Sequence, residues 1–459
     1  MRWLSLALVV FTVCGSDTVS AQSSSDVPAP VISLGDDLAA TSEAAESQSA
    51  IKSAATPNPY EGDLFTRKYL SGDWNGRRLQ LAERGVTMDI FATQFYQGVT
   101  SGGLSREFEY GGKLDLLPNF DGQKLGLWQG LSANAHVETR FGTTTNAIAG
   151  TLLPSNAAMA FPFDPDTQGV WLTALKFNQA LSENLIVFAG KLNGLDGYAL
   201  KYSPGVATNL PGLGGFQSTG LVFNPIAARG VPYSAAGVGA AVIFGEGSTF
   251  GVSVMDPAER SDRGLDNLFD GGATLASDLV LRAKPMGLPL IVDLGAVYTT
   301  ADFTSLDRSV YVNLPSITPG NLPVEGDSWA LYASGSQALW QSSSDPNATW
   351  GLFGGVGISD GNPNPIHYYA SCGLGGRRMS PSRPLDSYGI GYYYLGLSDQ
   401  LKDLTQNVRP LRDEYGAEVF YNIAVTPSCR LTPNFQVARP AVEGVDMPIL
   451  AGLRLQVIF

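Results

Sequence analysis

Between Leu131 and Phe141 polar and apolar residues alternate. Ser132, Asn134, His136, Glu138 and Arg140 share one parity, and Leu131, Ala133, Ala135, Val137 and Phe141 share the other. In an extended strand this puts a carboxylate, a guanidinium, an imidazole and an amide in one row, interleaving acceptors with donors. The same parity sets Lys113 and Asp115 against Leu114 and Leu116, and Lys176 against Leu175 and Phe177. It also sets Lys191 and Asn193 against Phe188, Gly190 and Leu192, and Asp293 between Val292 and Leu294. A wall bearing such a row exchanges hydrogen bonds with water or a polar solute. The competing reading is that Glu138 and Arg140, two apart on one face, pair with each other or with neighbours and only stiffen the wall.

Catalytic chemistry finds little support. The chain has two histidines, His136 and His367, neither beside an obvious nucleophile. The glycine pairs Gly214-Gly215 and Gly375-Gly376 do not stand in a strand-turn-helix context for binding nucleotides. His136 near Glu138, and His367 in the stretch Asn364-Pro365-Ile366-His367, give no zinc-type ligand spacing. The expectation is no enzyme, no cofactor and no metal.

The elements that must hold the polar row are strands. From Ile449 to Phe459 the chain alternates again, with Leu453, Leu455, Val457 and Phe459 on one face and Arg454 and Gln456 on the other. That pattern suits a strand with lipid outside and water inside, the alternative being an edge strand of a soluble β-domain. No internal run reaches the roughly 20 apolar residues of a membrane-spanning helix, so insertion must be as a closed sheet. About sixteen strands follow Gly85, centred near Phe91, Leu114, Ala135, Thr173, Phe188, Ala240, Val252 and Leu281, then Leu294, Leu331, Phe353, Gly373, Tyr392, Ile423, Phe435 and Leu455. Their connections alternate between tight (Gly245 to Ser248, Pro285 to Leu288, Thr426 to Arg430) and long (Thr143 to Gln168, Asn193 to Tyr233, Asp256 to Thr274, Thr300 to Gly326). Outer-membrane barrels show this asymmetry, and a soluble sandwich has no reason to keep it. The fold class is therefore all-β, an antiparallel transmembrane β-barrel with a short N-terminal helix. A charge on the lipid side at mid-bilayer costs about 2 to 4 kcal/mol, so the charged parity belongs in the lumen.

Ahead of the barrel, Arg2 and the apolar run Trp3 to Cys14 lead to Val19-Ser20-Ala21, which reads as a signal peptide over residues 1–21. Cys14 as a lipidation site lacks the small residue that normally precedes one. Residues 22–60, rich in Ser, Ala, Asp and Glu, read as a flexible periplasmic lead, and residues 61–85 as a helical segment. Ser71 or Asp73 is expected to cap that helix, which runs through Trp74, Leu79, Leu81 and Ala82 and stops at Gly85. Residues 86–459 form the barrel. Cys372 is placed on a strand and Cys429 in a turn, so no disulfide is expected between them. A net charge of -13, with scattered Lys and Arg, argues against nucleic acid.

Several segments resemble one family in order. Leu70-Ser71-Gly72-Asp73-Trp74-Asn75-Gly76-Arg77-Arg78 and Leu81-Ala82-Glu83-Arg84-Gly85-Val86 come first, then Tyr110-Gly111-Gly112-Lys113-Leu114-Asp115 and Lys124-Leu125-Gly126-Leu127-Trp128. Glu138-Thr139-Arg140-Phe141-Gly142, Gly190-Lys191-Leu192, Trp350-Gly351-Leu352-Phe353-Gly354 and Ser359-Asp360-Gly361-Asn362-Pro363-Asn364-Pro365 follow. Tyr388-Gly389-Ile390-Gly391-Tyr392-Tyr393, Tyr421-Asn422-Ile423-Ala424-Val425-Thr426-Pro427 and Leu431-Thr432-Pro433 complete the set. From about Tyr69 to Phe459 the chain resembles the carbohydrate-selective porins of the OprB type. The resemblance implies a sixteen-stranded, usually trimeric outer-membrane channel for passive uptake of monosaccharides and small oligosaccharides, without catalysis. Phe141 departs from the family's usual Tyr, and the loops are rich in Ala, Ser and Pro.

On this reading Lys113, Asp115, Asn134, His136, Glu138, Arg140, Lys176, Lys191, Asn193 and Asp293 line the pore. Tyr393 either stacks on a sugar ring or, as favoured, joins the interfacial aromatic girdle. The terminal Phe459 serves as the assembly signal for the barrel-insertion machinery, as in similar barrels. The partners are sugars, outer-membrane lipid and two further copies of the chain. An unselective porin and a structural or adhesive barrel plugged by its own loops are the alternatives.

Overall fold

Alternating segments pair because each buries one row of side chains and leaves the other to the bilayer. The computed structural model describes residue 58 and residues 60–162, 169–194, 215–312, 322–345, 347–378 and 380–459. All sixteen expected strand centres fall within strands. The first eight are β1 (Val86–Ser101), β2 (Phe108–Asp121), β3 (Leu131–Gly142), β4 (Val170–Ala180), β5 (Leu185–Asn193), β6 (Ser234–Phe244), β7 (Ser248–Met255) and β8 (Thr274–Ala283). The rest are β9 (Leu290–Thr304), β10 (Val324–Gln341), β11 (Thr349–Ser359), β12 (Ile366–Arg377), β13 (Ser387–Leu397), β14 (Glu414–Thr426), β15 (Cys429–Arg439) and β16 (Ile449–Ile458). Each pairs antiparallel with its chain neighbours, and β1 pairs with β16 from Phe91 opposite Ile458 to Ser101 opposite Ile449, closing the barrel. Closure leaves no unpaired edge, the condition for a sheet to reside in lipid.

The turns at one end are tight, such as residues 245–247 and 427–428, while residues 143–169, 194–233, 256–273 and 305–323 connect strands at the other. The alternation is less strict than expected. Residues 122–130 and 378–386 lengthen the tight end, and residues 102–107 and 360–365 are short connections at the long end. The stretch expected over Thr300 to Gly326 shrinks because β9 and β10 extend to Thr304 and from Val324. The expected signal peptide, residues 1–21, and nearly all of the expected lead, residues 22–60, lie outside the described residues, as do parts of the long connections.

The helix is shorter than expected and is capped differently. Helix α1 spans Arg77–Glu83 behind a left-handed Gly76 (φ 83°), and no side chain caps it. Trp74 precedes it with φ 51°, and Asp73 Oδ1 instead accepts from the Leu79 N–H at 3.0 Å. Gly85 does stop the helix, with φ 91° and its N–H on the Ala82 carbonyl at 3.0 Å. The segment straps the barrel seam. Tyr69 buries against Phe91 and Ile458, and the Leu70 N–H donates to the Ile458 carbonyl at 2.7 Å. The Arg78 guanidinium lies 4.0 Å from the Tyr69 ring and 4.6 Å from Tyr60, and it donates to the Met88 carbonyl at 2.6 Å. Burial and the adjacent Asp89 carboxylate push the Tyr69 phenol up from its ordinary value.

Much of the apolar core sits inside the barrel. Helix α2 (Thr219–Val222) and a 3₁₀ turn at Pro225–Arg229 turn inward from the β5–β6 connection, and Phe216, Leu221 and Ile226 join one buried cluster with Phe353, Tyr393 and Phe420. A further helix, α3 (Asp399–Thr405), belongs to the β13–β14 connection and is capped by the Ser398 hydroxyl. The two cysteines among the described residues are free: Cys372 lies on β12, and Cys429 begins β15 rather than lying in the turn before it.

Candidate functional site

Five of the expected residues come together on the inner wall of β2, β3 and β5. Register places Lys113 opposite Arg140 and Asp115 opposite Glu138. The Lys113 ammonium lies 2.6 Å from Glu138 Oε2 and 3.1 Å from Asp115 Oδ1, and His136 Nε2 meets the same Asp115 oxygen at 2.9 Å. The other Glu138 oxygen accepts from the Asn193 amide at 3.0 Å, from the Tyr233 hydroxyl at 2.5 Å and from the Thr173 hydroxyl. His136 and Glu138 are 0% and 1% exposed. Glu138 therefore pairs with Lys113 across the strands, not with Arg140 along its own.

Asp115, His136 and Glu138 bring three possible metal ligands within 4.8 Å of one another. The Lys113 ammonium bridges the two carboxylates and supplies the positive charge there, so the donor set does not fit a resident cation.

Arg140 joins a different group. It donates to the Met159 carbonyl at 2.8 Å and lies 5.3 Å from the Trp171 ring, tying the β3–β4 loop to the wall. The Lys191 ammonium donates to the Arg263 carbonyl at 3.2 Å, in the β7–β8 loop. In that loop Glu259 accepts from the Tyr233 N–H at 2.8 Å, and burial pushes its carboxyl above the ordinary range. Asn134 accepts from Asn178 at 3.1 Å, and Lys176 lies 5.8 Å from the Phe188 ring. Asp293, half-buried on β9 opposite Ser334, stands apart from the cluster.

Two local breaks in alternation account for what parity misses. Between His136 and Val137 the register on β4 jumps from Ala174 to Leu172, leaving Thr173 as the extra residue of a bulge. Trp171, Thr173, Lys176 and Asn178 are buried together as a result, although strict alternation would send the first two to the lipid side. On β5, Gly190 takes φ 137°, and a methyl there would lie 2.1 Å from the Leu175 carbonyl oxygen. Phe188 and Leu192, expected opposite Lys191, are buried in the interior cluster instead. Tyr393 is 3% exposed, with its hydroxyl 3.3 Å from Glu414, so it belongs to the interior cluster rather than to a girdle or an open stacking face.

Sequence reasoning also passed over Glu414 and Glu418, though the parity rule would have found them. They share an inward face of β14 with Phe420 and Asn422, and all four are buried. Tyr233 and Thr173 carried no such signal, because one lies in a long connection and the other in the bulge.

Porin B of Pseudomonas aeruginosa is 25% identical over 207 residues, 41% of this chain, and the match spans 46% of its own length. The putative porin QuiX of Acinetobacter baylyi is 25% identical over 438 residues, 86% of this chain and 93% of that protein. The high-pH structure of Pseudomonas putida OprB shares the fold with a TM-score of 0.75 at 22% identity, covering 87% of this chain and 100% of its own. Its low-pH structure gives 0.55 at 18% identity. The inward-facing charges, the closed sixteen-stranded barrel and the match of a family description to residues 105–459 agree: the chain belongs to the carbohydrate-selective porin, OprB family.

Proposed function

We propose that this outer-membrane barrel conducts monosaccharides and small oligosaccharides by passive, facilitated diffusion. The observation that carries the reading is charge compensation on the inner wall. Lys113 is matched by Asp115 and Glu138, and Glu138 by three further donors. Charges that meet one another within the wall present a weaker field to ions than unpaired charges would, which suits a path for an uncharged, hydroxyl-rich solute. Affinity stays low enough for release because each group already holds a protein partner.

Single-channel recording of the refolded barrel in a planar bilayer, titrated with glucose and maltose against an uncharged polyol, tests this. Saturable block by sugars is the expected result. Conductance without such block makes the protein an unselective porin, and absence of conductance makes it a barrel plugged by its interior loops.

Arg140→Ala is expected to weaken saturation by sugar, because it frees the Met159 carbonyl and uncovers Trp171. Flux and saturation identical to the parent would remove Arg140 from the selectivity site. Passage through the periplasm on a cleaved signal peptide, assembly as a homotrimer and recognition of Phe459 by the insertion machinery complete the reading. Deleting Phe459, whose N–H pairs with the Ile90 carbonyl at 2.9 Å, is expected to lower the amount of heat-modifiable barrel in membranes. Parent levels after the deletion would refute its role as a signal.

A further inference from the structure

Glu414 and Glu418 stand one helical-turn spacing apart in sequence but on one face of strand β14, and are 0% and 1% exposed. Glu414 Oε2 accepts from the Leu152 N–H at 2.5 Å and the Ala441 N–H at 3.2 Å, and Oε1 accepts from the Leu153 N–H at 3.1 Å. Glu418 Oε2 accepts from the Ser218 N–H at 2.8 Å, both its oxygens take up the Gln217 N–H at 2.9 and 3.1 Å, and Asn434 donates to Oε1 at 3.1 Å. Each carboxylate thus seats two consecutive N–H groups of one inward-folded loop. The loops also brace each other, through the Ala157 N–H on the Gln217 carbonyl at 2.8 Å and the Thr219 N–H on the Pro154 carbonyl at 3.0 Å.

Burying two carboxylates in a barrel wall is unfavourable unless their bonds are all met, and a wall that needed only rigidity would carry apolar or neutral groups there. Here most of the donors come from the loops, and bonds from N–H to a carboxylate are stronger than neutral ones. We propose that Glu414 and Glu418 are positioning residues that latch the β3–β4 and β5–β6 loops across the lumen and so set the aperture of the channel. The proposal rests on the reading of the barrel as a conducting channel. It adds which groups fix the width of the path.

The test is ionic single-channel conductance of Glu418→Gln, Glu414→Gln and Ser218→Pro in heat-modifiable barrels. Glutamine keeps the shape but turns an N–H donor toward donors. Proline at 218 deletes the loop-side donor, and the existing φ of -62° suits its ring. Each variant is expected to raise conductance by about twofold with more open-channel noise, since a wider path passes more ions. Ser218→Pro combined with Glu418→Gln should add little to either alone, the signature of one shared interaction. Parent-like conductance in the folded variants overturns the latch, and so does loss of the folded barrel in all three, which would make the carboxylates wall structure only. Ionic conductance reads the latch separately from sugar block. A barrel that widens in the variants yet is never blocked by sugar keeps the latch and discards the sugar reading.

Discussion

Glu138→Ala is expected to destabilise the barrel by about 3 to 5 kcal/mol, because it breaks a buried ion pair and leaves three buried donors without their acceptor. The variant strands the Lys113 ammonium beside Asp115 alone and deprives the Asn193 amide and the Tyr233 and Thr173 hydroxyls of their common acceptor. The measurement is urea unfolding in detergent micelles, with the temperature at which the folded band converts on heating as a second reading. Pairing Glu138→Leu with Lys113→Met should recover part of the loss, because the ammonium left with Asp115 as its one carboxylate partner is then removed, while Asp115 retains His136. A single variant as stable as the parent would show that water reaches the cluster freely and that the network contributes little.

The second large effect is expected from wall glycines that receive the inward loop. A methyl group at Gly357 would lie 2.8 Å from Ile226 Cγ2, and one at Gly391 would lie 2.8 Å from Leu221 Cδ2. Both partners are buried, at 0% and 3% exposure, so neither has room to retreat. Gly357→Val and Gly391→Val are therefore expected to unseat the β5–β6 loop at a cost of about 1 to 3 kcal/mol, the usual penalty for overpacking a filled core. The strands themselves tolerate valine well, so the barrel should persist while its conductance rises. Unchanged conductance in both variants would mean that the loop does not define the path. Phe216→Ala offers the converse perturbation. It removes a ring packed 4.8 Å from Phe420 and 5.4 Å from Phe353, loosening the same loop by deletion rather than by collision.

The polar row from Lys113 to Asn193 was legible because strand parity is a strict period of two and lipid penalises every charge placed on the wrong face. The same rule located all sixteen strands and the end at which the long connections gather. It failed at Phe188 and Leu192, and the girdle favoured for Tyr393 failed although parity set that residue inward. Gly190 breaks the alternation beside the first two, and loops filling the lumen bury the third. The expected helix cap failed because Gly76 adopts a left-handed conformation and Asp73 bonds further along, at Leu79.

Sequence alone thus determined the closed barrel and its strand centres, since these follow from local alternation and the energetics of a bilayer. Only the tertiary structure decided the partners. Glu138 meets Lys113 rather than Arg140, Thr173 enters the cluster through a bulge, and Glu414 and Glu418 hold loops that lie 200 residues or more away along the chain. Those choices depend on inter-strand register and on the inward path of long connections. Both are settled by contacts between distant segments, which no local period records.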